Sequence, residues 1–245
     1  MKKLKYIAAV CLLVVACKTE TPLTAQDIVD KTIEVSGGEK YLNADIDFDF
    51  RDMHYHSVRE GGKFQYERQF TDSIGDVKDV LNNDGFKRFI NNELVEVPDS
   101  MAVKYTSSVN SVHYFALLPF GLNDAAVNKS SLGDVTIKDK LYHKIKVTFS
   151  QEGGGEDYED IFIYWIDTET FKADYIAYSY IEDDGIGIRF REAYNERIIN
   201  GLRFVDYNNY KSEDTSIDLL SLDKAFEAGN LKLLSKIELK NIMVK

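Results

Sequence analysis

From Asp45 almost to its C-terminus the chain alternates apolar and polar residues with a period of two. Ile46, Phe48 and Phe50 alternate with Asp45, Asp47 and Asp49, and Leu141, His143, Ile145, Val147 and Phe149 alternate with Tyr142, Lys144, Lys146 and Thr148. Successive side chains of a strand point to opposite faces, so this rhythm is the mark of strands with one buried face. Turn signals punctuate it at Gly61-Gly62, Asn82-Asn83-Asp84-Gly85, Asn91-Asn92, Asp183-Asp184-Gly185 and Asn200-Gly201. After the longer helix strands are predicted to return at Asp134, with later ones over 161–167, 171–181, 187–199, 202–210 and 236–244. No strand–helix–strand rhythm occurs, which argues against a TIM barrel or a Rossmann sheet. Helical spacing is confined to three places. Thr24 caps a first helix, with Asp27 as a near-match to a capping box and Ser36-Gly37-Gly38 as the stop. Asp99 or Ser100 caps a longer one, with a stripe of Met101, Tyr105, Val109, Val112 and Phe115 and a stop at Pro119. A short one is predicted over 221–228. Roughly ten antiparallel strands and so few helices predict a mainly β (α+β) fold, a curved antiparallel sheet or half-open β-barrel covered by one or two helices. Two packed sheets with the longer helix outside are the alternative.

The N-terminus follows a different logic. Lys2, Lys3 and Lys5 precede an apolar stretch from Tyr6 to Ala16, too short for a membrane span of about 20 residues but suited to a secretory leader. It ends in Val14-Val15-Ala16-Cys17, which resembles the lipobox of bacterial lipoproteins, whose cysteine carries the lipid. On that resemblance residues 1–16 are a signal peptide, 17–23 a lipid-anchor tether and 24–245 a single domain. Of the 2 cysteines in 245 residues, Cys11 then leaves with the leader and Cys17 is lipidated, so thiol catalysis and disulfides have no residue to use. The protein is anchored to a membrane rather than spanning it. Lys18 stands where an Asp would favour inner-membrane retention, so the expected location is the outer membrane, facing the periplasm. A net charge of −11 and a pI near 4.9 exclude a nucleic-acid partner, which needs a basic footprint. Oligomeric state is left open.

The layout of a helix ending in Gly-Gly, long hairpins, a mid-chain helix and the strand end Tyr164-Trp165-Ile166-Asp167-x-x-Thr170 is similar to the Lol-type lipoprotein carriers and receptors. The segments Tyr114-Phe115-Ala116-Leu117-Leu118-Pro119-Phe120 and Arg189-Phe190-Arg191-Glu192-Ala193-Tyr194-Asn195 resemble uncharacterised lipoproteins of the Bacteroidota type. The resemblance implies a half-open barrel closed by helices over an apolar cavity, with a lipid or acyl-chain ligand and no active site.

The residues themselves offer few centres for chemistry. Asp45, Asp47 and Asp49 share one strand face and could meet a hard cation, and His54-x-His56 could meet zinc or copper. Neither set has the further ligands a site needs, so no metal and no cofactor is expected. Ser221-Leu222-Asp223-Lys224 matches Ser-x-x-Lys without its companion elements. The acidic loop around Gly153-Gly154-Gly155 does not match an EF-hand. No catalytic residue is therefore assigned, although paired carboxylates of an envelope hydrolase, and a structural role in a membrane complex, remain as rival readings. The aromatic inventory, 15 Tyr, 14 Phe and one Trp, is richer. Tyr105, Val112, Phe115, Phe149, Trp165, Phe190, Tyr194 and Phe204 are the predicted lining of a ligand cavity under the longer helix. Arg189 and Arg191 alternate with Ile188 and Phe190, so they are expected to face outward or to bracket a mouth where an anionic head docks.

Overall fold

The computed structural model describes residues 22–155, 158–182 and 185–245. The leader and Cys17 lie outside the described residues. The described chain opens with α1 (Ala25–Ser36), capped as its sequence predicts: the Thr24 hydroxyl accepts from the Asp27 amide, and the Asp27 carboxylate accepts from the Thr24 amide. A 3₁₀ turn over Gly38–Asn43 leads into six strands that pair in chain order: β1 (Ala44–Phe50), β2 (Met53–Glu60), β3 (Lys63–Asp72), β4 (Gly75–Asn82), β5 (Gly85–Ile90) and β6 (Glu93–Val95). Then comes α2 (Asp99–Leu117). Six further strands follow: β7 (Val127–Ile137), β8 (Lys140–Phe149), β9 (Ile161–Asp167), β10 (Ala173–Glu182), β11 (Gly185–Ile199) and β12 (Leu202–Ser212). They are succeeded by α3 (Leu222–Glu227), β13 (Leu231–Ile237) and β14 (Leu239–Val244).

All pairings are antiparallel, in two sheets of seven strands ordered β14-β1-β2-β3-β4-β5-β6 and β13-β12-β11-β10-β9-β8-β7. The last stretch, predicted as one strand, divides at Glu238: β13 pairs with β12, and β14 pairs with β1. The two sheets are thus joined along one corner and remain open between β6 and β7. The chain between those two free edges includes α2, which packs on β3, β4, β5 and β12. Tight two-residue turns hold the hairpins. Asn91 and Asn92 (φ 51° and 69°) and Gly61 and Gly62 (φ 57° and 80°) take the left-handed conformation that the strand twist demands.

The first sheet has one apolar face. Ile46, Phe48, Tyr55, Tyr66 and Leu81 pack with Val109, Ala116 and Leu117 of α2. Its opposite face carries Asp45, Asp47, Asp49, His54 and His56. The second sheet has two apolar faces. Ile145, Val147, Phe162, Tyr164, Ile176 and Tyr178 turn inward toward α1 and α2, whereas Ile163, Trp165, Tyr175 and Phe190 turn outward under Leu222 and Phe226 of α3. Each fully buried aliphatic or aromatic side chain among these contributes about 1.5–3 kcal/mol. Ion pairs fix the helices. Asp79, with no exposed surface, accepts from Arg68 and Arg88 at 2.6 Å each, while Arg68 also reaches Ser108 of α2. Lys144 and Trp165 both donate to Asp223 of α3, at 2.8 and 3.2 Å.

Candidate functional site

A cavity of about 430 Å³ lies at the joined corner of the two sheets, beneath α2, within the range that holds small ligands. One helical face of α2 supplies Ser111, Val112, Phe115 and Ala116 as its roof. The wall comes from the inward positions of the second sheet: Phe162 on β9, Tyr178 on β10, Arg191 on β11, Val205 and Tyr207 on β12, and Ile237 on β13. Phe50 of β1 and Leu239 of β14 complete it from the first sheet. Exposed Arg51 and Ile181 mark the mouth. Ile181 faces Ile186 across the β10–β11 hairpin, and the two are 64% and 73% exposed, an apolar rim beside the opening.

The lining is an aromatic lattice. Phe115 packs on Tyr178 at 5.1 Å, and Phe162 stacks on Tyr178 at 5.3 Å. Beyond Phe115 and Phe162 lies a second cavity of about 300 Å³, bounded by Tyr114, Phe149 and Gly154 and sharing Ser111, Phe115, Asp160 and Phe162 with the first. Burial pushes the Tyr114 phenol up to about 12, and it raises Tyr164 and Tyr207 as well, so these hydroxyls stay neutral at any ordinary pH. Asp160 is the one carboxylate among the described residues of the larger lining, where glycoside hydrolysis needs a facing pair.

Arg191 is the buried cation of the wall, which also carries Asp160, Asn209 and Ser235. Its guanidinium lies 3.8 Å above the Phe115 ring and donates to the Tyr178 hydroxyl at 2.6 Å. The sequence pattern leaves this residue facing outward or bracketing a mouth; it faces the cavity, and Phe190 is the outward one. Alternation gives only the relative facing of neighbours, and α3 buries the outer side of β11, so the apolar residue there points away from the cavity. Arg189 donates to its neighbour's carbonyl, Ile188 O, at 2.9 Å and sits over Tyr180.

The predicted lining residues separate accordingly. Val112 and Phe115 line the larger cavity and Phe149 the smaller one. Trp165 and Phe190 belong to the outer core under α3, 5.5 Å apart. Phe204 is fully buried with Tyr41 and Leu202 in the first sheet's core. Tyr105 lies over Arg88 at 3.5 Å, and Tyr194 donates to Glu238 at 2.8 Å, so neither reaches the cavity. Phe162, Tyr178, Val205 and Tyr207 were not singled out by the sequence, although Phe162 and Tyr178 stand two residues from other inward positions of their strands.

The histidine and aspartate sets come together on the outer face of β1 and β2. His54 meets Asp49 at 2.8 Å, His56 meets Asp45 at 3.1 Å, and the Lys245 ammonium meets Asp47 at 3.1 Å. Asp45, Asp47 and His56 are close enough to offer a cation three ligand atoms. Partial burial pushes the Asp47 carboxyl up, but the Lys245 hydrogen bond and nearby His56 outweigh it and hold the group below the usual carboxylate range. Lys245 thus already supplies the positive charge this face attracts.

A family model described as a family of unknown function, DUF6503, matches residues 3–239. The chain belongs to DUF6503. No curated protein matches its sequence. Its structural neighbours include the LolA superfamily protein NE2245 from Nitrosomonas europaea, at 11% identity and a TM-score of 0.48 over 91% of this chain and 92% of that one. A DUF1329 family protein from Desulfovibrio piger is similar at 9% identity and a TM-score of 0.43, over 90% and 92% of the two chains. A domain described as an outer membrane lipoprotein-sorting protein, from Vibrio parahaemolyticus, is similar at 9% identity and a TM-score of 0.34, over 81% and 98%. Within this DUF6503 chain, no described helix is long and apolar enough to cross a membrane.

Proposed function

We propose that this DUF6503 protein binds an apolar or amphipathic ligand, a lipid or an acyl chain, in the cavity beneath α2, and does no covalent chemistry on it. The observation that carries the reading is the aromatic-walled volume of about 430 Å³ between two sheets that stay open along one side. Chain burial drives such binding, at about 0.8 kcal/mol for each methylene taken from water. The lipobox-like Val14-Val15-Ala16-Cys17 supports the companion proposal, that a lipid on Cys17 tethers the domain to the envelope at the outer membrane, on its periplasmic side. The exposed Ile181–Ile186 rim then offers an apolar lip at the mouth, on the path a lipid would take out of a bilayer.

Two measurements test this. Native mass spectrometry of the protein extracted from its own membranes should give adducts of lipid mass that disappear on delipidation, and a neutral probe such as 1-aminoanthracene should bind and be displaced by long-chain lipids. A delipidated protein that takes up neither probe nor lipid refutes the binding reading. Metabolic labelling with an alkyne fatty acid should mark the wild-type chain and not Cys17→Ala; equal labelling refutes the anchor.

A further inference from the structure

We infer that the ligand is an acidic single-chain amphiphile whose anionic oxygen head is held by Arg191 at the polar end of the cavity. The inference rests on the cavity reading above and specifies the chemistry of its ligand.

The argument begins with how this chain treats buried cations. Arg68, Arg88, Lys144, Arg191 and Arg203 are the described cationic side chains with under a tenth of their surface exposed. Four of them have a carboxylate in contact: Asp79 for Arg68 and Arg88, Asp223 for Lys144 and Glu196 for Arg203. Arg191, 8% exposed, has none among the described residues, and its Nε is buried without any hydrogen-bond partner. Removing a guanidinium from water without a counter-charge is costly. Aromatic faces at 3.8 Å (Phe115) and 4.9 Å (Tyr178) offset part of that cost and none of the charge. In a chain of net charge −11, such a residue facing an aromatic cavity reads as half of an ion pair.

The strand register adds a second observation. Arg191 on β11 pairs directly with Asn209 on β12, which pairs with Ser235 on β13, and all three line the cavity. Asn209 donates to the Ser235 hydroxyl at 3.2 Å, and its Oδ1 is a second buried atom without a partner. A polar row therefore runs across three strands at one side of a chamber whose other walls are mainly aromatic and aliphatic, with one donor and one acceptor unused. That division into an apolar chamber and a polar row matches an amphiphile: the chain lies among Phe115, Phe162 and Val205, and the head meets Arg191 and Asn209. A carboxylate or a phosphate monoester supplies the acceptor oxygens a guanidinium fork takes best.

The test measures displacement of neutral 1-aminoanthracene from the delipidated protein by three ligands with the same chain: palmitate, palmitoyl lysophosphatidate and monopalmitoylglycerol. In the wild type at pH 7.5 and low salt, at least one acid should bind about 10- to 100-fold more tightly than the glycerol ester, the weight of one charge-assisted hydrogen bond. The tighter of the two acids identifies the head. In Arg191→Gln the ratio of acid to ester should collapse toward one, and Arg191→Lys, which keeps the charge, should retain part of it. The ratio is read within each variant, so a destabilised variant still reports. Equal binding of acids and ester by the wild type, or an undiminished ratio in Arg191→Gln, overturns the inference and leaves the cavity reading intact. Failure of all three ligands to displace the probe from the wild type overturns the cavity reading instead.

Discussion

His113 sets the acid stability of this protein. It sits on α2 with no exposed surface, stacked on Tyr66 at 4.4 Å, with Phe48 and Tyr55 edge-on. Its Nε2 donates to the Glu67 carbonyl at 3.0 Å, and its Nδ1 has no partner. Burial, which the Glu67 hydrogen bond only partly offsets, pushes the imidazole down to about 3. An unfolded histidine titrates near 6.5, so between those two values the unfolded chain holds a proton that the folded chain does not. Stability must then fall as pH drops below about 7, and keep falling until the folded group itself protonates. At pH 5, about 1.5 units below the unfolded value, the loss is about 2 kcal/mol at ~1.36 kcal/mol per unit. The carboxylates held low in the folded state, Asp47, Asp49, Asp206 and Glu196 among them, contribute stability that is complete above the unfolded carboxylate range. They therefore add little slope between pH 5 and 7. Urea unfolding at pH 5, 6 and 7 should show the fall in the wild type. His113→Phe should be less stable at pH 7 by about 1 kcal/mol, since it removes the buried hydrogen bond to the Glu67 carbonyl, yet show a much flatter profile. The other histidines are present in both proteins, so the difference isolates His113. A wild type with the same stability at pH 5 and 7, or a variant that keeps the wild-type slope, refutes the reasoning.

Other residues give simpler tests. Asp79→Asn leaves the Arg68 and Arg88 guanidiniums buried without their shared counter-charge and should cost about 3–5 kcal/mol, read as a lowered urea midpoint. Trp165→Phe removes the indole donor to Asp223 and part of the outer core; it should cost about 1–3 kcal/mol in the same assay and leave 1-aminoanthracene affinity unchanged, because Trp165 lies on the far side of the sheet from the cavity. Ile237→Trp should do the reverse. The indole fills the chamber at a half-buried position, so probe binding should weaken at least tenfold while unfolding moves little.

The fold was legible where one physical rule acted alone. The Thr24–Asp27 cap and the Gly61-Gly62 and Asn200-Gly201 turns follow from local chemistry and stand where the sequence puts them. Helix α2 instead takes Pro98 as its N-cap, without a side-chain cap, and Asp99 and Ser100 lie inside its first turn. Two features were hidden because nothing local encodes them. β7 begins at Val127, before the predicted start at Asp134, because a mostly exposed edge strand needs no apolar alternation. The change of sheet at Glu238 is a tertiary event: the alternation runs on through Leu239, and only the distant partners β12 and β1 distinguish the two halves.

The same reasoning explains why the cavity was legible in kind but not in detail. In the β1–β2 hairpin one face is charged and the other mainly apolar, so alternation identifies the inside, and Ile46 and Phe48 point where the pattern directs. In the second sheet β9 reads apolar without a break from Ile161 to Ile166, because α1 and α2 bury one face and α3 the other. A continuous run cannot say which residues meet which helix. Trp165 and Tyr164 are equally buried neighbours with opposite destinations, one to α3 and one to the interior. Polar residues carry the missing information. Lys144 points out because Asp223 of α3 waits for it, and Arg191 points in where no described carboxylate meets it. On a sheet covered on both sides, a buried charge and its partner decide the facing that hydrophobic pattern leaves open, and the buried charge that lacks a partner is where a ligand should be sought.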